Sequence, residues 1–180
     1  MNNLVILSFA FALSELLLVI NKRSISGAVK KRKDRGSLIF LWLMITAGFT
    51  GGFYLSRPLN PIWYGLGLLL IIIGISVRWA AIIQLGKSFT VDVAITDAAK
   101  LKTDGIYERV RHPSYSGLLL VVAGFSFAMS SVYSFAVLVL PVLLAVIHRI
   151  GIEEKVLQDE FGETFIKYKS CTRRLIPGIF

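Results

Sequence analysis

From about Pro61 to about Leu85 the chain carries a single charged residue, Arg78. Two further apolar runs precede it, from about Leu4 to Ile20 and from about Ser37 to Leu55. Each approaches or exceeds the ~20 residues that an α-helix needs to cross the hydrocarbon of a bilayer. A fourth apolar stretch, Tyr115 to Ile150, is too long for one straight crossing. Ser130 and Ser131 lie near its middle, so it reads as two helices joined by a tight turn, with Pro141 as a kink point in the second. Of the 180 residues, 55% are hydrophobic, and the mean hydropathy is +0.70. A soluble domain carries less apolar residue and more charge. The expected fold is therefore an all-α integral membrane protein of about five transmembrane helices, ending in a helical hairpin.

The formal net charge of +9 does not argue for nucleic acid. Lys22, Arg23, Lys30, Lys31, Arg32, Lys33 and Arg35 all fall between the first two apolar runs. That is where the positive-inside rule places basic residues, with some attraction to anionic lipid as a by-product. The loop is thus expected in the cytoplasm. The N-terminus lacks the basic start and cleavage site of a secretory signal and reads as a retained helix starting outside. With five crossings, Gly86–Arg111 and the C-terminal tail also face the cytoplasm. The Arg57–Asn60 loop and the Ser130 turn, nearly free of charge, face the other way. The chain divides as one membrane domain, 1–180: three helices over 1–85, a polar loop over 86–113, the hairpin over 114–150, and an interfacial helix and tail over 151–180. In that last part Ile152, Val156, Phe161 and Phe165 recur at roughly helical spacing. A bend or weak point is expected at Gly162.

Few residue patterns bear on chemistry. Cys171 is the only cysteine, which excludes an intrachain disulfide and a cysteine-based zinc cluster. The two histidines are far apart, so no metal site is expected. Arg111-His112-Pro113-Ser114-Tyr115 opens the fourth span, and Pro113 pre-sets its first turn. The free N–H groups there could bind a carboxylate. A snorkelling Arg with a Tyr in the aromatic belt accounts for the same residues equally well. Arg149 and Glu153 are four apart and share a helix face at the end of the fifth span. They could hold an anionic and a cationic ligand group, or form a local ion pair of small value. Glu15 and Arg78 lie inside apolar spans, each about two turns from the cytoplasmic end. Charges at that depth are costly and usually paired or functional, so the two are expected at similar depth, where they could pair; snorkelling is the alternative for Arg78. Gly48 and Gly52 give a weak small-xxx-small signal for close helix approach.

Several of these pieces together resemble the isoprenylcysteine carboxyl methyltransferase family. They are Lys102-Thr-Asp-Gly-Ile-Tyr107, Arg111-His-Pro-Ser-Tyr-Ser-Gly117, Glu153-Glu154, Glu160-Phe-Gly162 and Tyr168. The resemblance covers about Ser88 to Pro177, and the first two spans carry no part of it. It implies an integral membrane methyltransferase using S-adenosyl-L-methionine, held between the polar loop, the hairpin and the tail. Backbone contacts to that molecule would come from Ala99, Lys100, Leu101 and Lys102. Tyr107, His112, Pro113, Ser114 and Tyr115 would line the pocket, Glu153 would contact the cofactor, and Arg149 would sit by the acceptor carboxylate as the catalytic residue. Arg174 is a looser match in the tail that covers the pocket.

A lipophilic acceptor would enter sideways from the bilayer, from among the membrane lipids. A prenylated cysteine carboxylate, or an analogue of it, is the favoured acceptor. The competing readings are a sterol-reductase-like enzyme binding NADPH and a non-enzymatic membrane scaffold. The sequence gives neither the oligomeric state nor the membrane; a bacterial inner membrane and an endoplasmic reticulum fit equally.

Overall fold

The computed structural model describes residues 2–25, 29–34, 36–58, 60–86, 93–96 and 101–178, with side chains over 4–17, 36–58, 60–86 and 101–178. The helices are α1 (Asn2–Ile25), α2 (Gly36–Tyr54), α3 (Pro61–Leu85), α4 (Pro113–Ala128), α5 (Val132–Phe161) and α6 (Glu163–Cys171). A 3-10 turn covers Gly105–Glu108, and two short strands, β1 (Val29–Asp34) and β2 (Val93–Thr96), pair antiparallel. Among the described residues α2, α3 and α5 are long and apolar enough to cross a membrane. Leu4–Leu17 within α1 and the whole of α4 are shorter apolar helices. The 16 residues of α4 rise about 24 Å at 1.5 Å each, short of the ~30 Å hydrocarbon.

Helices α3 and α4 run against each other along a row of glycines. A Cβ on Gly67 would sit 2.5 Å from Gly124 O, and one on Gly74 would sit 2.7 Å from Gly117 O. The reverse holds for Gly117 and Gly124, whose added Cβ atoms would meet the backbone of Gly74 and Gly67. Without side chains at these four points the two backbones touch, the close approach that small residues permit in membranes. The expected pair in α2 packs differently: Gly48 lies under Leu138 and Gly52 under Met129, both contributed by the hairpin. Phe125 of α4 is fully buried, with the Phe49 ring 5.0 Å away edge-on and the Phe11 ring at 6.4 Å. The outward faces are apolar instead, with Phe9, Ile62, Ile72 and Leu144 each more than 60% exposed. In water such a surface would aggregate, whereas in lipid it needs no partner.

The turns sort to two ends. Asn60 caps α3 by accepting from the N–H of Ile62 at 3.0 Å, and its own N–H donates to Ser130 Oγ at 3.1 Å. Arg57 N–H donates to Met129 O, so the 57–60 loop and the hairpin turn meet at one end. That turn places Ser130 at φ 54°, and Ser131 caps α5. At the opposite end β1, from the basic loop, pairs with β2, from the polar loop.

Two elements differ from the expectation. The stretch 86–113 was expected to be irregular, but the β-branched Val93, Ile95 and Thr96 extend beside the basic segment. The last long helix was expected to end at Ile150, with a separate interfacial helix starting at Ile152. Instead α5 continues unbroken to Phe161. Glu153, Glu154, Lys155, Leu157 and Gln158 favour helix and supply no stop signal. Gly162, at φ 50°, ends α5 and starts α6. At about 45 Å, α5 is longer than the hydrocarbon, and its last turns stand beyond it.

Candidate active site

The polar loop and the tail are stitched together where α4 begins. Val110 and Arg173 form a parallel bridge. Arg111 N–H donates to Arg173 O at 2.8 Å, His112 N–H to Arg174 O at 3.0 Å, and Arg173 N–H to Arg109 O at 3.1 Å. Tyr168 of α6 donates its hydroxyl to Tyr107 O at 2.6 Å, and Ser116 of α4 donates to Leu175 O at 2.6 Å. Burial pushes the Tyr168 hydroxyl up to about 12, so it remains a donor at neutral pH.

The stitched region encloses Glu154, which is 4% exposed. Its carboxylate accepts from Arg111 Nε at 3.0 Å and from Arg174 Nη2 at 2.9 Å, with Lys169 Nζ and His112 Nε2 each 3.6 Å away. Arg111 also donates to the carbonyls of Lys169 and Thr172. The hydrogen bond from Arg174 to Glu154 raises the affinity of Arg174 for its proton. Glu154 is therefore the anion that holds loop, α5 and tail together.

The neighbouring Glu153 has different surroundings. Its side chain is 33% exposed, and among the described residues it takes one hydrogen bond, from the Tyr115 hydroxyl at 3.1 Å. His112 Nδ1 lies 3.9 Å from it, and the His112 and Tyr115 rings are 5.9 Å apart. The Tyr115 hydroxyl in turn accepts from Arg149 Nε at 2.8 Å, and Arg149 Nη1 donates to Ser37 Oγ at 2.8 Å. A hydrogen-bonded line thus runs Ser37–Arg149–Tyr115–Glu153 from the interior to the partly open carboxylate. Tyr107 is buried nearby, and its hydroxyl donates to Ala81 O at 3.1 Å. Burial, and then the charge of Glu153, suppress its ionisation.

Of the residues singled out in the sequence, the fold brings His112, Tyr115, Arg149 and Glu153 into one cluster, with Tyr107 beside it. Pro113 is buried at the first turn of α4. Ser114 engages Arg78, its hydroxyl accepting from the guanidinium at 3.0 Å. Lys102 turns to Asp104 at 2.9 Å, and that bond holds the Asp104 carboxyl below its usual range. Leu101 is partly buried, while Ala99 and Lys100 lie outside the described residues. Arg174 reaches the Glu154 side of the cluster. The role of Glu154 as a hub, with Arg111, and the contact of Ser37 with Arg149 were not read from the sequence. Two adjacent acids at the end of an apolar run could have signalled the first; nothing local signals Ser37.

Chemically, a one-third-exposed carboxylate flanked by two aromatic rings suits a cation. The guanidinium behind it suits an anion. The arrangement defines a helical membrane protein in which a guanidinium and a carboxylate are joined through one tyrosine at one end of the bundle. A profile of the phospholipid methyltransferases matches residues 62–164, and the chain belongs to that family. Protein-S-isoprenylcysteine O-methyltransferase B of Arabidopsis thaliana is 36% identical over 115 residues, covering 63% of this chain and 58% of that protein. A probable protein-S-isoprenylcysteine O-methyltransferase of Oryza sativa subsp. indica is 32% identical over 129 residues, covering 69% of this chain and 68% of that protein. The solved structure of the eukaryotic intramembrane Ras methyltransferase, isoprenylcysteine carboxyl methyltransferase, superposes with a TM-score of 0.61 at 24% identity. That likeness, over 79% of this chain and 51% of the other, establishes a shared fold. The chain thus spans between half and about two thirds of the length of these relatives.

Proposed function

We propose that the chain is an integral membrane methyltransferase that moves the methyl group of S-adenosyl-L-methionine to a lipophilic acceptor, a carboxylate such as that of a prenylated cysteine. The observation that carries this reading is the line Arg149–Tyr115–Glu153. It sets an anion-binding and a cation-binding group side by side at the end of the bundle. Family membership and the named activities of the relatives support the reaction class.

The donor set fits the cofactor. Glu153 has acceptor capacity left for the α-amino group, and the His112 and Tyr115 rings and Tyr107 line the approach. Pro113 and Ser114 shape the turn that presents them, and in the same reading Ala99, Lys100, Leu101 and Lys102 would supply backbone contacts to the cofactor. S-adenosyl-L-methionine, when bound, supplies an activated methyl on sulfur. An acceptor carboxylate is already ionised at neutral pH, so no residue need act as a general base. Arg149 holds that carboxylate by charge-assisted hydrogen bonds. Tyr115, bonded to both Arg149 and Glu153, fixes the distance between acceptor and donor. The apolar walls of α2 and α5 exclude water and admit a lipid chain from the bilayer. The N-terminus faces outward, and the tail and site face the cytoplasm of a bacterial inner membrane or the cytosolic side of an endoplasmic reticulum.

The test is transfer of a tritiated methyl group to N-acetyl-S-farnesylcysteine by purified protein in lipid nanodiscs. Wild type should form a base-labile methyl ester, and Arg149→Ala should lower turnover roughly 100-fold while cofactor binding largely persists. Label on phosphatidylethanolamine in place of the cysteine would contradict the carboxylate assignment. Transfer to neither acceptor would contradict the methyltransferase reading.

A further inference from the structure

Two charges inside the bundle are not among the residues assigned to the site above. On α1, Glu15 shares the buried stripe of Leu4 and Phe11 and is 5% exposed. On α3, Arg78 falls in register with the buried Gly67, Ile71, Gly74 and Ala81. The two meet: Arg78 Nε donates to Glu15 Oε1 at 2.5 Å and Nη2 to Oε2 at 2.6 Å. The remaining nitrogen, Nη1, donates to Ser114 O at 3.1 Å and Ser114 Oγ at 3.0 Å. The guanidinium therefore joins three helices, and its third point of attachment is the first turn of α4.

That turn is where position matters most. His112 precedes it, and Tyr115, the next residue after Ser114, carries the hydroxyl that links Arg149 to Glu153. α4 starts with no side-chain cap: among the described residues His112 makes no capping hydrogen bond. A cation near a helix N-terminus is unfavourable by itself, because the helix dipole is positive there. Glu15 neutralises it with both oxygens, which allows the guanidinium to grip the turn. For adhesion alone, apolar residues of similar volume would serve as well or better.

We infer that Arg78, held by Glu15, is a positioning residue for the methyl-transfer site: through Ser114 it fixes the start of α4 and hence the aim of Tyr115 and His112. This inference rests on the proposed reaction for its activity readout but not for its structural one. The informative variant is the double exchange Glu15→Leu with Arg78→Met, which removes both charges together and leaves neither one buried alone. Three quantities are measured: the thermal unfolding midpoint, kcat and KM for farnesylcysteine methylation, and hydrogen exchange across 112–118. The double variant should unfold within a few degrees of wild type. Its turnover should fall about 100-fold, as expected for a site misaligned by an ångström or so. Faster exchange should be confined to 112–118. Arg78→Lys, which keeps a donor and a charge, should recover part of kcat.

Wild-type kcat with wild-type protection at 112–118 would overturn the inference. So would exchange rising throughout the bundle with a lowered midpoint, which marks the pair as general adhesion. If wild type itself transfers no methyl group, the proposed reaction fails. The exchange pattern then decides the positioning role alone.

Discussion

Glu153 and Glu154 are adjacent in sequence, and their side chains do different work. Glu154 is buried among Arg111, Arg174, Lys169 and His112, whereas Glu153 is partly open and bonded to Tyr115. Removing one member of a buried ion pair strands the other, at a cost of about 3–5 kcal/mol. Glu154→Ala should therefore destabilise the folded protein by about that amount, read by urea unfolding in detergent, because Arg111 loses its counter-charge. Glu153→Gln should shift stability by no more than about 0.5 kcal/mol, yet abolish binding of S-adenosyl-L-methionine. If the two variants exchanged these effects, the roles given to the glutamates would be reversed. At this scale the sequence was partly legible. His112, Tyr115, Arg149 and Glu153 were named through the family resemblance, since by chemistry alone they read equally well as interfacial anchors and a local ion pair. Ser37 did not, since its importance lies wholly in touching Arg149 across 112 positions of chain.

Among the helices, α3 and α4 set the geometry of the bundle and of the site. A methyl group at Gly74 would push against the backbone of Gly117 and Val121, which cannot step aside. Gly74→Ala should cost about 1–3 kcal/mol as an overpacked contact. Gly65→Ala, where a Cβ meets nothing within 4 Å, should be neutral or stabilising by up to about 1 kcal/mol through helix propensity. Parallel thermal melts of the two variants check this, and equal loss in both would remove the glycine seam from the account. The apolar runs showed where helices lie because a bilayer demands them. They did not show which helices pair, since small-residue spacing recurs by chance; Gly48 and Gly52 stood out, while the α3–α4 row did not. The end of α5 was misjudged for a related reason. Once beyond the membrane a helix stops where its local signals stop it, and Gly162 is such a signal where Ile150 is not.

For the molecule as a whole, the turns divide between two ends. The 57–60 loop meets the Ser130 turn at one, and the basic loop, polar loop and tail gather at the other. Cys171 is exposed at the second end. In sealed right-side-out vesicles, a membrane-impermeant maleimide should leave Cys171 unlabelled until the membrane is opened. It should label Arg57→Cys in a Cys171→Ser background at once. The opposite pattern would invert the orientation assigned from the basic loop. Charge bias gives an expected orientation, but nothing in it could reveal that the tail closes over the polar loop through Glu154.

The claim on which the rest stands is that His112, Tyr115 and Glu153 form a site for S-adenosyl-L-methionine at that end. Isothermal titration of the purified wild-type protein tests it most directly. The account predicts saturable binding of S-adenosyl-L-methionine that disappears in Glu153→Gln. Binding of NADPH with none of S-adenosyl-L-methionine, or undiminished binding by Glu153→Gln, would contradict it.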